Sequence, residues 1–407
     1  MLPLALVPIF TRFLSPEDYG IIATATVLIN AFVIFQGVQA YGLVARTYFD
    51  DDSSRMRNLV STSTWFALVA TIGIALLLMT RFGIFFGKWT GFPASWLPAV
   101  ILLGFFAVLQ NIYQSLLQAR KEPWRFVANQ TVGNILNLGI SIWLIAGMHW
   151  DWRGRIWGLL VGGGIVSLMC VWGLAGRLGL LRPVFSMKSI REILHFGIPI
   201  IPHTLGGWVM TMGARLYLNN LASVADTGLF SLAFNLAAPL NMIIGSLNTT
   251  YYPWLFEKLS KPDDLDAVAL CRNLLLSSVG LLVAGFVFGA AAAVSLPFVV
   301  GSRFYGAAPY VFWLSLTVAI SGVYFIFGNI VVYSKRTSLL AWRADFLGAC
   351  VVLVSCPFLI STIGPVGAAV ANFIGVAAST IGCISAARVA HPLPWTTAIK
   401  CMFKTKN

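Results

Sequence analysis

Stretches of about twenty apolar residues recur from one end of this chain to the other, and no other feature narrows the possible folds as sharply. A helix of that length crosses the ~30 Å hydrocarbon core of a bilayer. In water the same residues would need a polar covering, yet only 10% of the 407 residues are charged and 58% are hydrophobic. Soluble domains are about 25% charged, so a soluble fold of this size is excluded. The stretches are apolar all round and do not alternate in short strands. That excludes a transmembrane barrel and leaves helices, which satisfy their backbone groups internally.

Charged and Gly/Pro-rich punctuation separates spans near 1–14, 20–45, 59–80, 97–118, 126–147, 156–176, 193–218, 228–252, 273–298, 308–333, 339–361 and 365–387. The chain is thus expected to be an all-α polytopic membrane protein of about twelve transmembrane helices, the first of them short. Twenty of its Lys and Arg fall in connections on one side, against six on the other (Arg12, Arg81, Lys88, Arg153, Arg155, Arg303), while Arg215 lies within a span. Basic loops stay cytoplasmic, which puts the C-terminus and, with twelve spans, the N-terminus in the cytoplasm. The net charge of +13 is therefore a matter of topology and anionic lipid, with no reason to invoke nucleic acid. The six cysteines form no CxxC pair and lie mostly in apolar stretches, as small buried hydrophobes rather than metal ligands or disulfides.

The chain repeats itself. Ser15, Asp18, Gly20, Ala25, Leu28 and Gly37 recur 208 residues later as Ser223, Asp226, Gly228, Ala233, Leu236 and Gly245, and Gly133 and Gly158 have counterparts in Gly348 and Gly367. Two six-helix lobes are expected: 1–176, a basic cytoplasmic linker over 177–192, a second lobe over 193–387, and a basic tail over 388–407. In this register Met1 aligns with Val209, in the middle of span seven, so about half of a first helix is expected upstream of Met1. MLPLALVPIFTRFL lacks the basic start and small-residue cleavage site of a signal peptide.

No catalytic or metal-binding constellation stands out, and no cofactor is implied. The four histidines are scattered, and carboxylates are almost absent from the spans, Asp345 near the cytoplasmic mouth of span eleven being the nearest to one. The spans instead hold cationic and neutral polar groups. Thr204, Trp208, Thr211 and Arg215 share one face of span seven at i, i+4, i+7 and i+11. An intramembrane Arg either faces a cavity or snorkels to the interface. Gln130, Asn134, Asn137 and Ser141 form a second stripe in span five, and Asn241, Gly245, Asn248 and Tyr252 a weaker one in span eight. Such amides either line a wet path for hydroxyl-rich cargo or bond helices to one another. Gly158-xxx-Gly162 and Gly367-xxx-Ala371-xxx-Gly375 are spacings of close helix packing. Pro199, Pro202 and the Gly206–Gly207 pair should break span seven near its middle, making it the candidate hinge or gate, and His203 beside Pro202 is a candidate for a polar cluster there.

The segments RFLSPEDYG and ARTYFDDDSSRMRNLVSTSTW, then HFGIPIIPHTLGGW, ARLYLNNLASVADTGLFSLA and YYPWLFEKL, resemble the polysaccharide flippases of the Wzx type, within the multidrug/oligosaccharidyl-lipid/polysaccharide exporter superfamily. The resemblance covers essentially the whole chain. It implies two six-helix lobes related by a pseudo-two-fold axis around a central cavity, and an undecaprenyl diphosphate-linked oligosaccharide carried from the cytoplasmic to the periplasmic leaflet. It places the chain in a bacterial inner membrane, in O-antigen, lipopolysaccharide or exopolysaccharide biosynthesis. Membrane lipids, a polysaccharide polymerase and glycosyltransferases would be its neighbours. Arg215 and Arg46 match basic residues of relatives, and Arg12 completes the cationic set. Relatives often carry an acid just before the second-half Arg, where this chain has Gly213 and Ala214. The competing functions are an ion-coupled drug or small-molecule exporter of the same fold, disfavoured by the scarcity of intramembrane acids, and a membrane-embedded polymerase or ligase. The latter would need a large outer loop with catalytic polar residues, and the longest outer connection, Arg81 to Trp96, has neither acid nor histidine.

Overall fold

A computed structural model of the chain describes residues 7–50, 52–260, 264–336 and 338–395, and every regular element among them is helical. The helices are α1 (Val7–Phe13), α2 (Pro16–Gly37), α3 (Ala40–Thr47), α4 (Ser53–Leu78), α5 (Arg81–Thr90), α6 (Leu97–Ala119), α7 (Pro123–Ile142) and α8 (Asp151–Trp172) in the first part of the chain. There follow α9 (Met187–Gly197), α10 (Ile201–Trp208), α11 (Ala214–Leu221), α12 (Val224–Ser260), α13 (Asp264–Val299), α14 (Ala308–Tyr333), α15 (Leu347–Ile363) and α16 (Gly367–Ala390). Among the described residues nine helices are long and apolar enough to cross a membrane, and α9 to α11 make a tenth whose axis turns by 52° at a break. The remaining two of the twelve sequence positions are also helical. One is α1; the other is α7, which continues through a π-helical turn to Gly147 and is less apolar because Asn129, Gln130, Asn134 and Asn137 sit on it.

The fold departs from uninterrupted spans in three places. The span placed over 20–45 is broken: α2 ends at Gly37, and Val38 and Gln39 take left-handed conformations, with φ of 40° and 56°. A β-branched residue in that region costs about 1–3 kcal/mol and persists only where its surroundings impose it. They do so here. The backbone of Gly197 lies so close to the Val38 carbonyl that a Cβ there would overlap it, and Gln39 Nε2 donates to Thr204 Oγ1 at 3.1 Å. The break in span two is thereby locked to the break in span seven, where α9 passes through a 3₁₀ turn at Ile198–Ile200 into α10. The second departure is the connection from Arg81 to Trp96, which is itself mostly helix. Thr80 caps α5 by accepting from the Phe82 amide, left-handed Gly91 ends it, and Phe82 and Trp89 both pack on Phe86 while Ile84, Phe85 and Trp89 stay exposed, the composition of an interfacial helix. The third is the π-helical turn Val209–Gly213 between α10 and α11, where the Asn372 side chain from α16 donates to the Met210 carbonyl.

Packing divides the chain into two units. One takes everything described up to Trp208 together with Ser223–Gly228; the other takes Val209–Ala222 and the chain from Leu229 onward. The division lies within span seven rather than at the 177–192 linker, because the contacts of Gly197 and Thr204 with Val38 and Gln39 hold α9 and α10 on the first unit.

The repeat is visible as local structure. Ser15 opens α2 with a capping box, its hydroxyl accepting from the Asp18 amide at 3.1 Å while the Asp18 carboxylate accepts from the Ser15 amide at 3.0 Å. Ser223 caps the start of α12 in the corresponding place, its hydroxyl accepting from the Asp226 amide at 3.0 Å and donating to the Asp226 carboxylate at 2.6 Å. The two starts cross backbone to backbone, so that a Cβ on Gly20 would overlap the Val224 carbonyl and one on Gly228 the Pro16 carbonyl. The small-residue spacings are tight crossings too. Gly158 and Gly162 of α8 press on Ser141 and Asn137 of α7, and Gly367 and Gly375 of α16 press on Leu359 and Val352 of α15.

Candidate functional site

The crossing of α7 and α8 decides what the first unit can bind. With no side chain at Gly158 or Gly162, the two backbones approach closely, and the polar stripe of α7 is carried along the seam. Beside that seam, walled by α6, α7 and α8, lies a cavity of about 360 Å³. Six carboxamides line it: Gln110 and Gln114 from α6, and Asn129, Gln130, Asn134 and Asn137 from α7. Four of them make bonds across the wall, but only weak ones. Gln130 Nε2 reaches Gln114 Oε1 at 3.4 Å, Gln110 reaches Ser167 at 3.4 Å, and Asn129 meets the Cys170 sulfur at 3.6 Å, all long contacts. Three of the sequence candidates, Gln130, Asn134 and Asn137, are thus brought to one cavity.

One turn beyond the cavity, the same seam holds a residue that sequence reasoning assigns to an outer loop. Arg155 is not in a connection but in the first turns of α8, and its Nη1 donates to Asn137 Oδ1 at 2.6 Å and to Ser141 Oγ at 3.0 Å. Its guanidinium also lies 5.7 Å from the centre of the Phe10 ring, on α1. The signal that finds it is its register: Arg155, Gly158 and Gly162 stand at i, i+3 and i+7, so the arginine shares the face of the helix that the glycines press onto α7.

The remaining candidates are dispersed. Arg215, on α11, is buried at 5% exposure in the second unit, its guanidinium 4.9 Å from the Phe234 ring and 5.9 Å from the Phe230 ring, with Nη1 on the Met212 sulfur. It is held by ring faces and does not reach out to an interface. Arg12 and Arg46 are exposed at the ends of α1 and α3. Trp208 donates from Nε1 to the Val27 carbonyl at 3.2 Å, joining Thr204 in holding α10 on the first unit, whereas Thr211 stands in the π-helical turn of the second. Asn241 is exposed on α12; Asn248 accepts from Asn329 Nδ2 at 2.8 Å on the edge of a cavity of about 830 Å³, walled by Leu247, Tyr251, Trp254 and Leu281 together with Thr250, Asn273 and Ser277. Pro199, Pro202, Gly206 and Gly207 all fall in or beside the bend between α9 and α11. His203 is in α10, and its side chain lies outside those described.

One carboxylate within the membrane-spanning part has a defined setting. Asp345 stands in the π-helical turn Ala341–Phe346 that leads into α15, and Tyr324 of α14 donates its hydroxyl to Asp345 Oδ1 at 3.0 Å. Among the described residues no group of three or more His, Cys, Asp or Glu is placed to hold a metal ion.

Comparison with known proteins gives a consistent picture. The solved structure of the lipid II flippase MurJ in an inward closed conformation superposes with a TM-score of 0.73 at 14% identity, covering 100% of this chain and 91% of MurJ. An inward-facing multidrug resistance MATE family transporter of the MOP superfamily superposes with a TM-score of 0.72, again at 14% identity, covering 98% of this chain and 95% of that one. At such identities the likeness establishes the fold: that of the twelve-helix MOP-superfamily transporters. Two Haemophilus influenzae proteins are similar in sequence. Lsg locus putative protein 1 is 23% identical over 356 residues, covering 84% of this chain and 83% of that protein, and an uncharacterized membrane protein is 25% identical over 341 residues, covering 82% and 80%. The model of a family described as polysaccharide biosynthesis protein matches residues 9–309, and the chain belongs to that family.

Proposed function

We propose that this protein is a flippase, carrying an undecaprenyl diphosphate-linked oligosaccharide from the cytoplasmic to the outer leaflet of a bacterial inner membrane by alternating access. The observation that carries the reading is the amide-lined cavity between α6, α7 and α8, in a part of the chain that is otherwise apolar. A sugar hydroxyl left without a partner in hydrocarbon costs several kcal/mol, roughly 2–7 on transfer scales, so a glycan crossing the membrane needs closely spaced groups that both donate and accept. Carboxamides do both without adding charge. The family's connection with polysaccharide biosynthesis, and the likeness to a flippase of lipid II, support the same cargo class. Membrane lipids surround the cargo's polyprenyl tail, and a polymerase and glycosyltransferases act after and before it. The bend at Pro199, Pro202, Gly206 and Gly207 is the proposed gate, with both termini in the cytoplasm as the distribution of basic residues requires. A diphosphate moving outward across an inside-negative membrane gains roughly 4.6 kcal/mol per 100 mV, enough to give direction without a coupled ion.

The test is to delete the gene in its own host and treat intact spheroplasts and inverted vesicles with a membrane-impermeant glycosidase. Lipid-linked repeat units sheltered in spheroplasts and cleaved in inverted vesicles are expected. Accumulation on the outer face would indicate a polymerase or ligase instead. A second reading, an ion-coupled small-molecule exporter, is favoured by the Tyr324–Asp345 pair, a carboxylate placed where a proton could load. No accumulation on either face, together with efflux that stops when the proton gradient is collapsed, is the result that would select it.

A further inference from the structure

We propose that Arg155, with Asn137 and Ser141, forms a phosphate-binding station at one end of the amide-lined cavity, taking the diphosphate of a lipid-linked sugar whose glycan lies along the carboxamides. The assignment rests on the flippase reading and deepens it.

The geometry leads there in three steps. Asn137 belongs to both places: it lines the cavity, and its Oδ1 accepts from Arg155 Nη1 at 2.6 Å. Along α7, Ser141 stands one turn beyond Asn137; along α8, Arg155 stands one turn before Leu159, which is also in the cavity wall. The backbone of Arg155 therefore stands about one helical pitch, ~5.4 Å, past the wall at Leu159, and its guanidinium reaches back to the last amide, Asn137.

The guanidinium's partners are neutral. Both of its hydrogen bonds leave from Nη1, to an amide oxygen and a hydroxyl, and Phe10 offers a ring face. Among the described residues no carboxylate lies within 4.0 Å of it, and its Nε and Nη2 make no hydrogen bond. Elsewhere in the same unit four arginines are neutralised: Arg55 is paired with Asp50 and Glu192, and Arg120, Arg125 and Arg177 all share Glu122. An arginine in a spanning helix whose charge is not neutralised is costly unless something anionic visits it. Its vacant Nε–Nη2 edge presents the parallel pair of donors that grips two oxygens of a phosphate.

The glycines explain how the station is held. Because a Cβ on Gly158 would strike Ser141 and one on Gly162 would strike Asn137, α8 is seated against the two residues that orient Arg155. The guanidinium is thus fixed before a ligand arrives, which lowers the ordering cost of binding. A helix-pinning role alone would need only the Nη1 bonds; it gives no reason for an unneutralised cation at the end of a carboxamide groove.

The same chemistry could be met by the headgroup of an anionic phospholipid, so the experiment separates the two sources. The full chain is reconstituted in phosphatidylcholine nanodiscs, and three probes are titrated: a short-chain prenyl diphosphate carrying one N-acetylhexosamine, the same sugar joined to the prenyl alcohol without phosphate, and phosphatidylglycerol as competitor. Arg155→Gln is expected to weaken the diphosphate probe about tenfold or more, as the loss of a charge-assisted bond of ~1.5–3 kcal/mol implies, and Arg155→Lys by less. Binding of the phosphate-free probe should be the same in all variants, a split that a merely structural arginine would not produce. Equal affinity of wild type and Arg155→Gln for the diphosphate probe overturns the station while leaving the flippase reading intact. Displacement of the probe by equimolar phosphatidylglycerol, in wild type but not in Arg155→Gln, overturns the cargo assignment in favour of a lipid headgroup. Wild type that binds neither sugar probe sinks the flippase reading and the station with it. Should Arg155→Gln not yield folded protein, Arg155→Lys and Ser141→Ala carry the same comparison.

Discussion

The two units of this protein start from the same repeat and end with opposite interiors. In the first, six carboxamides surround a cavity of about 360 Å³, and Arg155 waits at its end on neutral acceptors. In the second, the cavity is larger, about 830 Å³, but only two carboxamides, Asn248 and Asn273, stand among leucine, isoleucine, aromatic, small and hydroxyl side chains, and Asn248 is bonded to Asn329. The arginine of the second unit, Arg215, is sealed beneath Phe230 and Phe234. What the halves share is backbone: the serine caps at Ser15 and Ser223 and the glycine crossings. What separates them is the side chains those crossings put on show. Scaffold and chemistry have been inherited separately, and the units should therefore respond differently to matched substitutions.

The largest difference should come from the two arginines. Arg215→Ala removes a desolvated cation from two ring faces, worth about 2 kcal/mol, and leaves a void that the packed surroundings only partly close, for a loss of about 3 kcal/mol in all. Arg155→Gln keeps a polar side chain beside Asn137 and Ser141 and should cost less than about 1 kcal/mol while weakening binding of a diphosphate ligand. Unfolding of each variant in detergent, followed by tryptophan fluorescence, measures the contrast. An Arg155→Gln protein less stable than Arg215→Ala would reverse the roles, making Arg155 the brace and Arg215 the working cation.

A smaller contrast is expected between two glycines. Alanine favours a helix over glycine by about 1 kcal/mol, so where there is room the exchange stabilises. Gly280, on the wall of the second cavity, has open space where a Cβ would stand, with no atom within 4 Å, and Gly280→Ala should raise the unfolding midpoint slightly. At Gly158 the new methyl lands on the Ser141 hydroxyl and backbone, and overpacking of ~1–3 kcal/mol outweighs the helix gain. Gly158→Ala should therefore destabilise by about 1 kcal/mol and also weaken Arg155's hold on Asn137, which a drop in affinity for a diphosphate ligand would register. If both alanines were equally tolerated, the crossing would not be what seats the arginine.

How much of this can be read from the residues alone depends on whether the cause is local. The spans, their number and the packing role of the small-residue spacings follow from composition and short-range patterns. So does the amide stripe on span five, because i, i+4, i+7 and i+11 is a property of one helix. The break at Val38–Gln39 is not legible, since neither residue favours a left-handed backbone; it is imposed by Gly197, far along the chain. Helix α5 is hidden for a different reason, its aromatic and basic residues reading equally well as a loop at the interface. Arg155 reads as a loop cation because it follows Asp151 and Arg153 so closely, and only its register with Gly158 and Gly162 gives it away. Arg215 is legible as an intramembrane cation, but its burial under Phe230 and Phe234, rings carried by the next helix, requires the packing of α11 on α12.

The smallest effect concerns the cations that the first unit does neutralise, which are the control for Arg155. Glu122, in the connection between α6 and α7, accepts from Arg120 Nε at 2.8 Å, Arg125 Nη1 at 2.8 Å and Arg177 Nη2 at 3.0 Å. The hydrogen bond from Arg120, together with the nearby charge of Arg177, holds its carboxyl below the usual glutamate range. A carboxyl with a depressed folded value stabilises the fold fully above its unfolded pKa and loses that contribution as pH falls through the folded one. Between neutral pH and about pH 5 wild type and Glu122→Gln should accordingly differ by a constant amount, under about 1 kcal/mol because the cluster is partly solvated, and below that the two stabilities should converge. A high-salt buffer should shrink the gap in the same way. Neither pH nor salt in this range should alter the stability difference between wild type and Arg155→Gln, whose hydrogen-bond partners Asn137 and Ser141 carry no titratable group. A salt- or acid-sensitive Arg155 would mean that a carboxylate neutralises it, and the contrast between the paired arginines of the connections and the unneutralised one in the seam would collapse.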